Sequence, residues 1–349
     1  MFAFLQRLVR RGPSAAELRA LGPRSVHAAP PPPVDLHTLH ADYLAALGLA
    51  PVEPPALTAL QQQSVARLAE ELKHRLLRDA PGPEAFPAQY MQVLRQVSDP
   101  AVGLAEISRL IAQEPALSAS VLRVANSAFY RGAQPSQTLR EATSRLGAAE
   151  VGRMAGVISV HMLYQWKKKT TPQLDAAFAE CHRHAVTTAL ASSWFALKRR
   201  DAKSDRTYLG GLLHDAGRAM ALRAAVSLSA QPNATVRLDD PLLPRAIDAV
   251  HAAAGAEMAR RWSLPPLVEQ ICSQHHGADL PGTPELVDLH IVRLVSAVRL
   301  VRLDPIFAAR AADEIAQSGS VLAVTPSGLR ALDAEVRLLE KKASSWLAS

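Results

Sequence analysis

Tyr208-Leu209-Gly210-Gly211-Leu212-Leu213-His214-Asp215-Ala216-Gly217 is the stretch on which the reading of this chain turns. A glycine pair inside an apolar helical run costs about 1 kcal/mol per residue relative to alanine, so its presence points to close approach by another helix. His214 and Asp215 then follow side by side, one imidazole and one carboxylate. That pairing suits a divalent metal with nitrogen and oxygen ligands. Alone the dipeptide is a weak signal, because it occurs by chance in many proteins.

Its surroundings add weight. Seven of the chain's twelve histidines lie between positions 182 and 290: His182, His184, His214, His251, His275, His276 and His290. After Thr171, the positions Leu174, Phe178, Cys181, His184, Ala185 and Thr188 advance in steps of three and four, which places His184 on a core-facing stripe. His251 repeats the pattern with Gly255, Met258 and Trp262, and His275 with Val268, Ile271 and Cys272. Three helices therefore each aim a histidine inward. His182 and His290 fall off these stripes and are expected to face solvent. Cys181 and Cys272 read as small buried hydrophobes, and Trp194 and Trp262 as packing residues. The two cysteines are too few and too far apart for a disulfide framework.

The chain as a whole is helical in character. Its 349 residues are 48% hydrophobic and 20% charged, which excludes a disordered polymer, and the apolar mass is mostly Ala, Leu and Val. Period-2 alternation is almost absent, so an all-α fold of many helices is expected. Helix starts are marked by a capping residue followed by proline at Asp99-Pro100, Thr171-Pro172, Thr283-Pro284, Asp304-Pro305 and Thr325-Pro326. Thr138 with Glu141 forms a capping box, and Gly147 closes that helix.

The four prolines Pro30 to Pro33 end an Arg-rich tail, so residues 1–35 are expected to be flexible tail and linker. A helical leader over 36–83 follows, with helices near 36–47 and 56–78, the second carrying an apolar stripe from Leu57 to Leu76. Ala80-Pro81-Gly82-Pro83 marks the boundary with the main body. The leader is expected either to dock on that body or to associate with a second copy.

Net charge is +7, with only 8 of the 39 basic residues being lysine, and the basic residues are scattered apart from Lys167-Lys168-Lys169 and Lys198-Arg199-Arg200. Nucleic-acid binding needs a concentrated basic face, so it is not expected. No segment is apolar for long enough to span a bilayer, and the cytoplasm is the expected compartment.

Several blocks in order make the sequence resemble the HDOD output domains of bacterial signalling proteins, within the HD superfamily of metal-dependent phosphohydrolases. In the first half the blocks are Asp99-Pro100, Gln113-Glu114-Pro115-Ala116-Leu117-Ser118, Leu122 to Tyr130 with Asn126-Ser127, and Ala142 to Leu146-Gly147. In the second half they are Gly211 to Gly217, His251 to Ala256, Trp262-Ser263-Leu264-Pro265 and His275-His276. The resemblance implies an HDOD domain over 84–300. An N-terminal helical lobe would occupy 84–165 and an HD-like lobe 171–300, with C-terminal helices over 301–349 packing on the domain.

It also implies a site. The catalytic HD pattern is a first His, the His-Asp pair and a later Asp; His184, His214 and Asp215 match the first three, and Ser296 stands where the last carboxylate is expected. A neutral hydroxyl is a poor metal ligand beside a carboxylate. His251, His275 and His276 resemble the further ligands of phosphodiesterases that cleave cyclic di-GMP, yet Gly277-Ala278-Asp279-Leu280-Pro281-Gly282 lacks those enzymes' GYP motif. The six ligand-type residues would hold a divalent metal, Fe, Mn or Zn, or else survive as a hydrogen-bonded polar remnant of such a site. Asn126 and Ser127 are candidate ligand contacts, or else the capping of a helix end.

The expected function is a non-catalytic regulatory module acting through signalling proteins, with a homodimer or a nucleotide second messenger among its partners. The alternative is a metal-dependent phosphodiesterase or phosphohydrolase acting on a cyclic dinucleotide or nucleotide.

Overall fold

The computed structural model describes residues 36–50, 56–79, 103–112, 115–127, 129–130, 132, 134–161, 171–303 and 305–347. Expectations for the 1–35 tail, for Asp99-Pro100 and for the Ala80–Pro83 break lie outside those residues. The described residues form α-helices and one 3-10 turn, with no strand.

In chain order the helices are α1 (Leu36–Ala46), α2 (Ala59–Asp79), α3 (Leu104–Ala112), α4 (Pro115–Ala125), α5 (Leu139–Leu146), α6 (Ala148–His161) and α7 (Pro172–Leu197). They continue as α8 (Ser204–Leu213), α9 (Ala216–Ser229), α10 (Leu243–Arg261), α11 (Pro266–Gln274), α12 (Val287–Leu303), α13 (Ala308–Val321) and α14 (Pro326–Leu347).

The proline-and-cap signals explain several of these boundaries. Thr171 sits in extended backbone and its side chain accepts from the Leu174 N–H, while Pro172 occupies a first-turn position that needs no donor. The 26-residue α7 follows, the longest helix here. Thr325 accepts from the Gly328 N–H at 3.1 Å to open α14, and Thr283-Pro284 opens the 3-10 turn that feeds α12. At α5 the Glu141 N–H donates to Thr138 Oγ1 at 3.1 Å, and Gly147 ends the helix at φ 80°. The start expected at Asp304-Pro305 is displaced. A turn runs through 305–307, and α13 begins at Ala308 because Phe307 is buried between the Arg218 and Arg310 guanidinium groups, 5.5 and 4.9 Å from its ring centre.

One apolar core runs from Leu68 and Leu72 of α2 through Ile111, Val121 and Met154 to Ala185, Leu212 and Met258. A second joins Tyr43 and Leu44 of α1 to Phe195, Ile291, Leu294, Ile315 and Leu332. Thus α2 packs on α9 and α10, and α1 on α13 and α14. The stripe of α2 is buried at Leu68 and Leu72, while Leu60 at its start is 73% exposed.

Two expectations are corrected. His182 and His290 do not face solvent; they are 3% and 0% exposed. Helix α7 is covered on more of its circumference than a single stripe allows, and the His182 ring meets His161 of α6, Nδ1 to Nδ1, at 3.1 Å. Helix α12 is central, and His290 bonds Ser318 and the Pro281 carbonyl oxygen at 3.2 and 3.1 Å.

Candidate metal centre

The site is assembled at helix ends held close by missing side chains. A Cβ on Gly211 would lie 2.8 Å from the Ala189 Cα of α7, so only glycine lets α8 approach α7 closely enough to set His214 beside His184. A Cβ on Gly217 would lie 1.9 Å from the His251 carbonyl oxygen of α10, which ties α9 to the helix that carries His251. His214 closes α8, Asp215 precedes α9 without capping it, and His275 closes α11. His184, His251 and Ser296 project from the middles of α7, α10 and α12.

Six of the predicted residues come together. Their candidate ligand atoms form two groups sharing Asp215, one with His251, His275 and His276 and the other with His184 and His214, and within each group all lie within 4.8 Å of one another. Most of the cluster is buried, with His276 at its edge 13% exposed. His184, His214, Asp215, His251, His275 and Ser296 are each at most 3% exposed.

Carbonyl oxygens orient three of the rings, His251 and His275 of the first group and His214 of the second. The Nδ1 atoms of His214, His251 and His275 lie 2.8, 2.6 and 3.0 Å from the carbonyl oxygens of Gly211, Asp248 and Ile271. Nδ1–H therefore donates in each case, and the Nε2 lone pair is left pointing inward. Asp215 Oδ1 stands 3.2 Å from His251 Nε2 and 3.7 Å from His275 Nε2, and the two nitrogens are 3.4 Å apart. A tetrahedral ion with ligands at 2.0–2.1 Å sets its ligand atoms about 3.4 Å from one another, so this spacing fits a single zinc-like ion. His276 meets Glu314 at 2.6 Å through Nδ1, and its Nε2 is buried with no hydrogen-bond partner.

The second group does not fit a metal. Arg299 Nη1 lies 3.2 Å from His184 Nδ1. Guanidinium only donates, so Nδ1 is the acceptor and the ring proton sits on Nε2. That nitrogen faces Ser296 Oγ at 3.1 Å, and Ser296 Oγ is 3.2 Å from His214 Nε2. A complete hydrogen-bond chain results, from Arg299 through His184 and Ser296 to His214 and the Gly211 carbonyl. Every donor finds an acceptor, and His184 turns a protonated Nε2 rather than a lone pair towards His214.

Electrostatics keep the cluster ready for ligation on one side and tied on the other. Burial lowers His214 to about 4 and His251 to about 3, and holds His184 and His276 well below the usual imidazole value, so these rings are neutral at pH 7. Burial opposes ionisation of Asp215, but the Arg218 guanidinium at 2.9 Å, aided by His251, holds its carboxyl well below the usual range. Arg218 also pairs with Asp248, which Arg310 bridges from α13.

Asn126 sits at the end of α4 with both amide atoms committed, Nδ2 to the Ser136 carbonyl at 2.8 Å and Oδ1 to its N–H at 2.6 Å. Ser127 Oγ is buried with no hydrogen-bond partner. Neither belongs to the histidine cluster. The sequence reading missed Arg299, Arg218 and Glu314. An arginine three residues after Asp215, and another inside the apolar run Val292 to Val301, were the available signals.

The fold and the cluster place the chain among helical proteins built on the His-Asp pair. The HDOD domain family matches residues 84–278, more than half of the 349-residue chain, and the chain belongs to that family. An uncharacterised protein of Treponema pallidum (strain Nichols) is 26% identical over 239 residues, 64% of this chain. The match spans 42% of that relative's length.

Among solved structures, an HDOD domain protein from Geobacter sulfurreducens superposes with a TM-score of 0.58 at 18% identity, covering 81% of this chain and 99% of that one. A protein from Shewanella amazonensis SB2B described as a candidate phosphohydrolase gives 0.53 at 18%, covering 79% and 98%. One from Marinobacter aquaeolei VT8 described as a candidate signal transduction protein gives 0.50 at 16%, covering 90% and 66%. At these identities the likeness is one of fold. Among the described residues no helix is long and apolar enough to cross a membrane.

Proposed function

We propose that this chain is a regulatory module of bacterial signal transduction that works by binding other signalling proteins, its histidine cluster having become a structural node. The observation that carries this reading is Arg299 at 3.2 Å from His184 Nδ1, with Ser296 completing the chain to His214. The guanidinium fixes the His184 proton on Nε2, so that ring offers no inward lone pair, and a hydroxyl stands where hydrolysis of the HD type needs a carboxylate. Burial supports the same reading. A phosphodiester must reach its nucleophile, and the cluster residues are almost fully buried.

One observation favours a second reading. Asp215, His251 and His275 have the spacing of a single tetrahedral site with His276 within 4.8 Å, and burial holds His251 and His276 neutral. A bound ion there would supply polarisation of water or substrate in a hydrolase. In the regulatory reading the same ion would be structural.

The test is turnover. Protein purified without an affinity tag is analysed for metal, then assayed with manganese, iron or zinc against cyclic di-GMP and bis(p-nitrophenyl) phosphate. Less than about one turnover per minute is expected. Turnover above about one per second that Asp215→Ala abolishes would replace the regulatory reading with the hydrolase.

A further inference from the structure

Arg299 does more than fill the second half of the cluster. Its other face reaches α14, where Nη2 and Nε lie 2.5 and 3.1 Å from Glu340 Oε1, and Nη2 also meets Glu180 at 2.7 Å. The arginine side chain is 3% exposed, while Glu340 and Glu180 are 31% and 41% exposed, so a buried cation is met by carboxylates at the protein's edge.

Two residues further along α14, Lys342 turns to α6. Its ammonium is 2.5 Å from Glu150 Oε1 of α6 and sits over the rings of Phe129, Tyr130 and Trp346, at 5.5, 5.4 and 5.0 Å from their centres. Tyr130 donates its hydroxyl to the same Glu150, and Arg153 holds the second carboxylate oxygen at 3.2 Å. The lysine and Glu150 side chains are 12% and 11% exposed. A lysine boxed by three aromatic faces and a buried carboxylate is fixed in position, unlike a lysine on an open surface. The residues it grips, Phe129 and Tyr130, lie close in sequence to Asn126 and Ser127.

The sequence thus places on one helix, two positions apart, an anion for the cluster's arginine and a cation for Glu150 of α6. Rigid helical backbone joins them. We propose that α14 is a relay coupling the histidine cluster to Phe129 and Tyr130, through Arg299–Glu340 on one side and Lys342–Glu150–Tyr130 on the other. The relay stands whether or not the cluster binds an ion, so it does not depend on the reading above. It assigns Phe129 and Tyr130 as the residues whose order reports the state of the cluster, and Glu340 and Lys342 as the residues that carry the coupling.

Hydrogen exchange on the full chain tests it. Glu340→Gln removes the charge facing Arg299 and touches nothing in α6, yet exchange should rise by about fivefold or more in peptides covering 120–130 and 148–161. Lys342→Met should reciprocally raise exchange around 180–186 and 294–300, because coupling acts in both directions. The double variant should change both regions by less than the product of the single effects. Lys342→Arg keeps the charge and should stay near wild type. If Glu340→Gln does not fold, Glu340→Asp, which shortens the reach to Arg299 but keeps the charge, is read in the same N-terminal peptides. Effects confined to each substitution's own neighbours, or multiplying independently in the double variant, would overturn the relay.

Discussion

Gly217→Ala is a one-methyl change that the geometry makes severe. The added Cβ would sit 1.9 Å from the His251 carbonyl oxygen, 2.6 Å from the Gly255 nitrogen and 2.9 Å from the His251 carbonyl carbon. All three are backbone atoms, so no rotamer change relieves the clash, and α9 must separate from α10 by more than 1 Å to restore ordinary contact. Overpacking costs about 1–3 kcal/mol when side chains can adjust, and a backbone-on-backbone case lies at or above the top of that range. Alanine returns about 1 kcal/mol of helix propensity. The net loss is about 2–4 kcal/mol, a fall in Tm of roughly 3–6 °C for a chain of this size.

The separation also pulls His251 away from Asp215, now 3.2 Å away at Oδ1. Scanning fluorimetry and calorimetry measure the change, with Gly132→Ala as control because its Cβ would meet only the Arg145 guanidinium at an ordinary 3.6 Å. The control should move by less than about 2 °C. A Gly217→Ala protein as stable as wild type would refute the argument that the absent Cβ sets the α9–α10 crossing.

Ser296→Asp puts a carboxylate beside His184 and His214, so without metal it should lower Tm by burying a new charge, and zinc or manganese should restore it and bind at least about tenfold more tightly than to wild type by calorimetry. No metal response would mean Arg299 blocks the position even when the ligand is supplied. Arg218→Met leaves Asp215 and Asp248 buried with less compensation and should cost about 3–5 kcal/mol. Adding Asp215→Asn should recover part of that loss in the same melts, and a double variant less stable than the single would contradict the pairing.

Stability should fall as pH drops from 6.5 towards 4. His214 titrates at about 4 and His251 at about 3 in the folded chain, so the unfolded chain binds more protons across that window. His214 alone accounts for ~3 kcal/mol of it. Asp215, lowered instead, adds loss only below the usual carboxylate range. A Tm that stays flat between pH 7 and 4.5 would show that these rings are not buried neutral.

Much of the fold was legible because it rests on local chemistry. A capping hydroxyl followed by proline starts α7 and α14 wherever the rest of the chain goes, and the three-and-four spacing of Leu174, Phe178, His184 and Ala185 makes one face of α7 apolar without knowledge of its partners. The glycine pair announced a close helix contact for the same reason, since glycine inside a helix is costly unless backbone approaches it. The candidate ligands could be named from residue type, order and the motif they resemble.

Periodicity identifies one buried stripe, and it cannot tell how many sides of a helix are covered. His182 and His290 were therefore misplaced, because α7 and α12 are enclosed by neighbours far away in sequence. Nor does a sequence tell which ring nitrogen carries the proton. That is decided by Arg299 reaching His184 across 115 positions, and by the carbonyls that turn His251 and His275 inward. Order along the chain determined which residues could make a metal centre, whereas the long-range bond from Arg299 of α12 to His184 of α7 decided that this ring, unlike His251 and His275 with their own helices' carbonyls, keeps no inward lone pair to offer.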